Sequence, residues 1–356
     1  MKSIVSNKVV SLYSLARWTN GLAYKDIHFS ISGTPIIKIA ELKNGITAQT
    51  QFTKDIFDDS VKLRYDDLLF SWSGNPETSI DAFRYRMDSG WLNQHIFKVE
   101  PIGVSKDYLY YLLKSLRSTF AHIASNKQTT GLGHVTVSDL KRLNVNVHTL
   151  EMQQHIVDIL GTLDEKIENN NQICEKIGNQ ALLEIEQILL GTTEFDFLKN
   201  HIKFVKGKKP LAESVDMLPY LSIDGMETYQ FTMACAKKMI LADENDILMV
   251  MDGASSGRVY SAIKGIVSST MARVDVFNTD NDFVFWLLKA NEKNISAQNT
   301  GSAIPHTDKD FVGEILLPVN IPTHNLSLYR KTLSKCRKEN LKLAELKQLY
   351  LKKFFG

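Results

Sequence analysis

The chain has 356 residues, 44% hydrophobic and 23% charged, with a net charge of +2; that length suits about two domains, and that charge announces no partner. Three cysteines (Cys174, Cys235, Cys336) without a short pairing exclude a disulfide framework or a zinc knuckle. The N-terminal MKSIVSNKVVSLYSLARW lacks a signal-peptide core, and no apolar run reaches the roughly 18 residues of a membrane span, so a cytoplasmic globular protein is expected.

Taken in chain order, the first part alternates short β-rich runs with turn residues. PIIKIAEL (35–42) and DLLFSW (67–72) read as strands, and the latter belongs to YDDLLFSWSG (65–74): an acidic turn, an apolar strand, then a glycine. GWLNQHIFKVE (90–100) follows, then an aromatic-rich amphipathic helix, DYLYYLLKSL (107–116), then a loop-and-strand segment, NKQTTGLGHVTVSDLKRLNVNV (126–147). The same series recurs. ENDILMVMDG (244–253), GIVSSTMARVD (265–275), DFVFWLLKAN (282–291) and AQNTGSAIPHTDKDFVGEILLPV (297–319) repeat it in order, and PYLSIDG (219–225) reads as a further strand. The offset drifts from 179 residues at Asp67 and Asp246 to 170 at Gly131 and Gly301, as differing loop lengths would produce. One helix per module is expected.

Each module is followed by a longer helical pattern. In the first, Thr149 is the expected N-cap, Glu151 lies in the first turn and Gly191 stands beyond the end. Residues 150–190 would span roughly 60 Å. Gly161 and Gly178 inside it each cost about 1 kcal/mol relative to alanine, and a bend is expected near one of them if anywhere. Ile156, Leu160, Leu163, Ile167, Asn170, Cys174, Ile177 and Ala181 form a coiled-coil seam with one asparagine fixing register. The C-terminal pattern repeats it with Leu333, Cys336, Asn340, Leu343, Tyr350 and Phe354, interrupted by Lys347; Thr162-Leu163 and Asn170 match Thr332-Leu333 and Asn340 at one offset of 170. Residues 151–190 carry eight acids and two bases, and residues 328–356 carry nine bases and two acids, net charges of −6 and +7. Opposite charge on matching seams predicts that these helices pair with each other, antiparallel, and hold two modules apart.

LEMQQHIVDILGTLDEKI (150–167), preceded by a TG-containing loop and a strand, resembles the junction of type I restriction-modification specificity subunits. YDDLLFSWSG and ENDILMVMDG are similar to the family's Asp-Leu-Leu or Asp-Ile-Leu element with its following glycine, and the tandem order covers nearly the whole chain. The first junction, NVNVHTLEMQQ, lacks the family's usual proline; the second, LLPVNIPTHNLSLY, keeps prolines and loses the Glu-Gln. The resemblance implies an α+β fold: two repeated mixed α/β target-recognition domains joined by two long helices in an antiparallel coiled coil. The expected boundaries are 1–148 for the first domain, 149–191 for its helix, 192–322 for the second domain and 323–356 for the last helix. It further implies a non-catalytic subunit that reads a bipartite double-stranded DNA target. Its implied partners are modification (methyltransferase) subunits and a restriction (translocase and endonuclease) subunit, with no membrane, cofactor or metal. A coiled-coil scaffold or adaptor without DNA readout is the alternative.

No enzyme motif competes. There is no Pro-Pro, NPET (75–78) lacks the aromatic of a methyltransferase loop, GLGH (131–134) lacks a dinucleotide loop's third glycine, and the nine histidines show no zinc spacing. Residues 1–150 carry a net +5 and residues 191–327 a net −4, but the second module gathers Lys199, Lys203, Lys206, Lys208 and Lys209 into one run, a candidate phosphate stripe. Sequence reading needs amide, hydroxyl or guanidinium groups that reach base edges. The DNA-binding candidates therefore follow the repeated strands: Trp72, Ser73, Asn75, Arg84 and Arg86 in the first module, and Asp252, Ser255, Ser256 and Arg258 in the second. The TG loops add Lys127, Gln128 and Thr130, then Asn299, Thr300 and Ser302, and Lys206 and Lys208 complete the set. Arg258 follows a turn of small residues, and its competing structural role is a pair with a carboxylate such as Asp252.

Overall fold

The structure is a computed structural model that describes residues 8–25, 27–127, 132–209, 216–228, 231–301 and 304–356. The chain divides into two units, residues 1–165 with 344–356, and residues 166–343.

In the first unit a four-stranded antiparallel sheet runs in the order Ala16–Asn20, Ile96–Pro101, Leu68–Ser71, Asp81–Arg84. A second sheet contains a parallel pair, Thr34–Ile37 beside Ser89–Leu92, flanked by Phe52–Thr53 and Lys62–Arg64. The second unit repeats both. Its four-stranded sheet is Ile202–Lys206, Met271–Val276, Ile247–Val250, Val259–Ser261, and its other sheet pairs Met217–Leu221 in parallel with Gly265–Val267. The central strands LLFS and ILMV are buried at every residue, which is why, apart from Ser71, they are apolar without alternation.

The repeat extends to backbone detail. Asp66 and Asn245 open the turns before those strands at φ of 68° and 72°, and the carboxylates of Asp67 and Asp246 accept the backbone N–H of Arg64 and Asp243, both at 2.8 Å. Gly74 and Gly253 follow the strands at φ of 132° and 105°, a region that a Cβ disfavours. The helices Lys106–Ser115 and Asn281–Ala290 are capped alike, by Ser105 on the N–H of Tyr108 and by Asp280 on that of Phe283.

Two expectations need correction. PIIKIAEL and PYLSIDG are not single strands: the strands end at Ile37 and Leu221, and short helices begin at Ile39 and Ile223. Local hydrogen bonds win there. Glu41 accepts the N–H of Lys38 at 3.0 Å, and the Ser222 hydroxyl accepts that of Gly225 at 3.1 Å. Nor does each module hold one helix, because the first is followed at once by another, Arg117–Ser125 and Glu292–Ala297 respectively, besides shorter pieces.

The two long helices, Leu150–Leu190 and Leu326–Phe355, form an antiparallel coiled coil. Helical structure runs unbroken through Gly161 and Gly178. Burial follows the seam: Ile156, Leu160, Leu163, Asn170, Ala181, Leu333, Cys336 and Asn340 are all buried. In the second unit the Asn170 amide donates to Asn340 Oδ1 at 2.8 Å, Asn340 donates to Asn171 Oδ1 at 2.9 Å, and Lys166 faces Glu339 at 3.5 Å. In the first unit His155 packs on Phe354, and Lys347, the apparent interruption, pairs with Asp164 beneath the Tyr111 ring. Tyr111 donates its hydroxyl to the same carboxylate at 2.9 Å, and burial, reinforced by that charge, pushes its ionisation well above the ordinary tyrosine value. Leu351, outside the expected seam, is buried as well.

Each unit also clamps one guanidinium in the same socket. In the first, Arg84 stacks 4.7 Å over Tyr110 and pairs with Asp107 at 3.0 Å and Asp66 at 4.0 Å. In the second, Arg330 lies 4.3 Å over Phe285, pairs with Asp282 at 3.0 Å and donates to the carbonyls of Asn245 and Asp246. Phe285, Asp282 and Asn245 are the repeat equivalents of Tyr110, Asp107 and Asp66. The position of Arg84, opposite Leu68 on its sheet, falls on Ser261 opposite Ile247, and the Ser261 hydroxyl accepts from Arg330 Nε at 3.1 Å. The strand supplies the arginine in one unit and the long helix supplies it in the other. Arg330 is wholly buried, and that burial lowers its pKa.

Candidate nucleic-acid interface

The sequence-based candidates separate by strand geometry. Trp72, Ser73 and Asn75 lie beyond the C-terminal end of Leu68–Ser71, whereas Arg84 pairs in register with Leu68 at its start. Arg84 is thus remote from the other three, its side chain 22% exposed and committed to the socket; Arg86, beside it, pairs with Asp66 at 3.2 Å and the Tyr65 hydroxyl at 3.2 Å.

At the far end a polar and aromatic cluster gathers. Trp72 Nε1–H donates to Asn20 Oδ1 at 3.0 Å, and its ring stacks on Phe97 and meets the rings of His95 and His134. Ser73 Oγ lies 2.9 Å from His134 Nδ1. Asn75 closes the turn by accepting the N–H groups of Glu77 and Thr78 at 3.0 and 3.1 Å. Here the TG-loop segment returns: Gly133–His134 pairs with Ser73–Gly74, and the Val135 N–H donates to Trp72 O at 2.8 Å. Lys127 is held by Asp139 at 2.5 Å; burial opposes ionisation of that carboxyl, but the hydrogen bonds from Lys127 and Thr136 outweigh it and keep its pKa low.

The second unit builds the same junction from different groups. The Thr307 N–H donates to Met251 O at 2.9 Å, as Val135 does to Trp72. Asp252, in the place of Ser73, takes His306 Nδ1 at 2.8 Å and Lys206 Nζ at 2.7 Å. Burial again opposes its ionisation, and Lys206 and His306 reverse the effect, so its pKa is depressed. Thr300 and His306 exchange backbone hydrogen bonds at 2.9 and 2.7 Å, Asn299 donates to Ser256 O at 3.3 Å, and Ser256 is buried with its hydroxyl on Gly253 O and Pro305 O. Ser255 borders them on the same turn. In the second unit the strand-end and TG-loop candidates are therefore neighbours.

Arg258 points elsewhere. It pairs with Glu227, not Asp252, beside the Tyr260 hydroxyl, which raises its pKa together with the Glu227 charge. The lysine run does not present one face: Lys199 is held by Glu314 at 2.5 Å, and the period-two alternation of strand Ile202–Lys206 turns Lys203 and Lys206 to opposite sides. Lys208 is exposed beyond the strand, while Gln128, Thr130 and Ser302 lie outside the described residues.

Asn20, His95, His134 and His306 were absent from the sequence-based candidates. Aligning the TG loops on Gly131 and Gly301 gives an offset of 170, whereas the histidines match at 172, and that two-residue slip hides them. Among the described residues no cluster of His, Cys, Asp and Glu is placed to hold a metal, and no helix is long and apolar enough to cross a membrane.

Residues 6–179 match the type I restriction modification DNA specificity domain. A specificity subunit of the type I restriction enzyme MjaVIII from Methanocaldococcus jannaschii is 37% identical over 128 residues, 33% of this chain and 30% of that protein. The HindI specificity subunit of Haemophilus influenzae is 36% identical over 115 residues, 31% of this chain and 24% of that protein. A putative type I specificity subunit of Mycoplasma pneumoniae is 24% identical over 292 residues, 72% of this chain and 74% of that protein. The crystal structure of a type I restriction-modification S subunit from M. genitalium has the same fold, with a TM-score of 0.57 at 17% identity, covering 100% of this chain and 98% of that one. Residues 6–179 thus resemble that specificity domain, the chain spans about a third or less of the length of the first two of these relatives, and as a whole it has the fold of the solved S subunit.

Proposed function

We propose that the chain reads a two-part double-stranded DNA target, one half through each unit, and performs no chemistry itself. The carrying observation is the junction built twice: a strand end, a positive-φ glycine and a returning histidine segment on one backbone frame. Its groups change from amide, indole and hydroxyl around His134 to ammonium and carboxylate around His306. A constant frame with altered hydrogen-bonding groups is what two readers of different half-sites require. Trp72, Ser73, Asn75, Lys127, Lys206, Lys208, Asp252, Ser255, Asn299 and Thr300 are the proposed DNA-facing set. Arg84, Arg86, Ser256 and Arg258 support it from within their units. The paired helices would set the unread gap and, with the units, recruit methyltransferase and restriction subunits in the cytoplasm.

Selection of duplexes from a randomised pool tests the reading. Enrichment of two short motifs at a fixed spacing is expected, with affinity falling steeply as salt rises. A protein that enriches no motif while remaining folded would leave only the scaffold role.

A further inference from the structure

Resting on that DNA reading, we infer that His134 and His306 are the matched side chains through which the two units touch the duplex. Each is tethered to its own unit through Nδ1 and offers Nε2 to DNA. Three observations make the residues equivalent. Each precedes a residue whose N–H bonds the carbonyl at the end of the central strand, Val135 to Trp72 and Thr307 to Met251. Each is followed at once by a capped short helix, with Thr136 accepting the N–H of Asp139 and Asp308 that of Phe311. Each takes its Nδ1 partner from the residue just before the positive-φ glycine, Ser73 at 2.9 Å and Asp252 at 2.8 Å.

His148 shows a packing role, with Nδ1 on the Tyr108 hydroxyl at 2.8 Å and its ring against both Tyr108 and Phe355. Half of the His306 side chain is exposed, and neither His306 nor His134 has a partner for Nε2 among the described residues. The tether holds the ring in place before DNA arrives, so little side-chain entropy is lost on contact. Their neighbours suit the role, with the Trp72 ring beside His134 and the Lys206 ammonium on the Asp252 that holds His306.

The two tethers give the rings different hydrogen-bonding roles. An ionised carboxylate only accepts, so the Asp252 contact requires a proton on His306 Nδ1 and leaves Nε2 of the neutral ring as an acceptor. An acceptor there matches the exocyclic amine of adenine or cytosine in the major groove. The Ser73 hydroxyl can donate or accept, so His134 can adopt either tautomer and face a donor or an acceptor.

The test uses duplex selection with the full-length chain and the variants His306→Asn, His134→Asn, His306→Gln and Asp252→Asn, with thermal melting alongside. Asparagine keeps a group near Nδ1 and removes Nε2, while glutamine keeps one near Nε2. His306→Asn is expected to lose about tenfold discrimination at one or two positions of one half-site only, and His134→Asn to do so in the other half-site. His306→Gln should retain more than His306→Asn. Asp252→Asn can donate to Nδ1, which turns Nε2 into a donor, so the preferred base at the same position should change. Folded His306→Asn and Asp252→Asn variants that enrich the parental motif with unchanged affinity would overturn the assignment, as would equal losses in both half-sites. If the parental chain itself enriches no motif, it is the DNA reading that fails, and this inference falls with it.

Discussion

The guanidinium sockets show how the two units have diverged. Both place an arginine over the ring at the same helix position and beside the same carboxylate, yet one arginine comes from a strand and the other from a long helix. Arg84 reaches its socket from within its own sheet and stays partly exposed. Arg330 crosses from the helix, is wholly buried, and ties the start of that helix to the second unit's sheet and its Asn281–Ala290 helix. What the repeat preserves is therefore the backbone frame and the electrostatic demand of the site, and the residue that meets the demand is free to move. The junctions proposed to face DNA show the same division, with a kept frame and changed side chains.

The largest effect is expected at that contrast. Arg330→Met removes a wholly buried guanidinium from Asp282 and the carbonyls of Asn245 and Asp246 and should cost about 3–5 kcal/mol, against about 1 kcal/mol for Arg84→Met, whose side chain is 22% exposed and whose nearest partner, Asp107, is 41% exposed. Urea unfolding measures both. Adding Ser261→Arg to Arg330→Met moves the guanidinium to the strand, as in the first unit, and should recover a substantial part of the loss. Equal costs for the two arginines, or no recovery, would mean that the sockets are not equivalent.

Next comes the seam of the second unit. Asn340→Leu removes one of the two oxygens, Asn340 Oδ1 and Glu339 Oε2, to which the buried Asn170 amide donates, and should cost about 1 kcal/mol. Asn170→Leu combined with Asn340→Leu should be more stable than either single variant, because an apolar pair leaves no unmet hydrogen bond, at the expense of register. A double variant weaker than both singles would contradict this packing.

Smaller still is an acid-dependent loss. Asp66 and Asp139 in the first unit and Asp252 in the second have depressed pKa values, because lysine and other partners outweigh the burial that opposes ionisation. Folded values below unfolded ones mean that their stability is present above about pH 4 and is lost as pH falls through the folded values. Each should contribute below about 1 kcal/mol, so the melting temperature should fall gradually under acid, less in Asp252→Asn than in the parent. Least is the reactivity of Cys174. Burial, then the neighbouring Cys336, pushes its thiol up to about 11. Alkylation at neutral pH should be slow and should accelerate between pH 9 and 11.

Much of this architecture was legible in the residues. The repeated apolar strands, the glycine after each and the seam asparagines were visible because each is a local pattern that burial or backbone geometry enforces. The helix pairing was visible because charge sign and seam spacing agree. The break of PIIKIAEL into strand and helix was not, since its cap rests on Glu41, which also accepts from Thr50 nine residues on. Arg330 read as one of many basic residues on a cationic helix, because only tertiary packing reveals that it is buried. The histidines were hidden by a two-residue slip in a loop, and the lysine run looked continuous because sequence adjacency does not show on which side of a strand a residue falls.

The most direct test of modular reading exchanges residues 192–322 for the corresponding module of a relative and repeats the duplex selection. One half of the enriched motif should change, while the other half and the spacing between them stay as they were. A chimera that folds and alters both halves, or neither, would contradict the claim that each unit reads its own half-site.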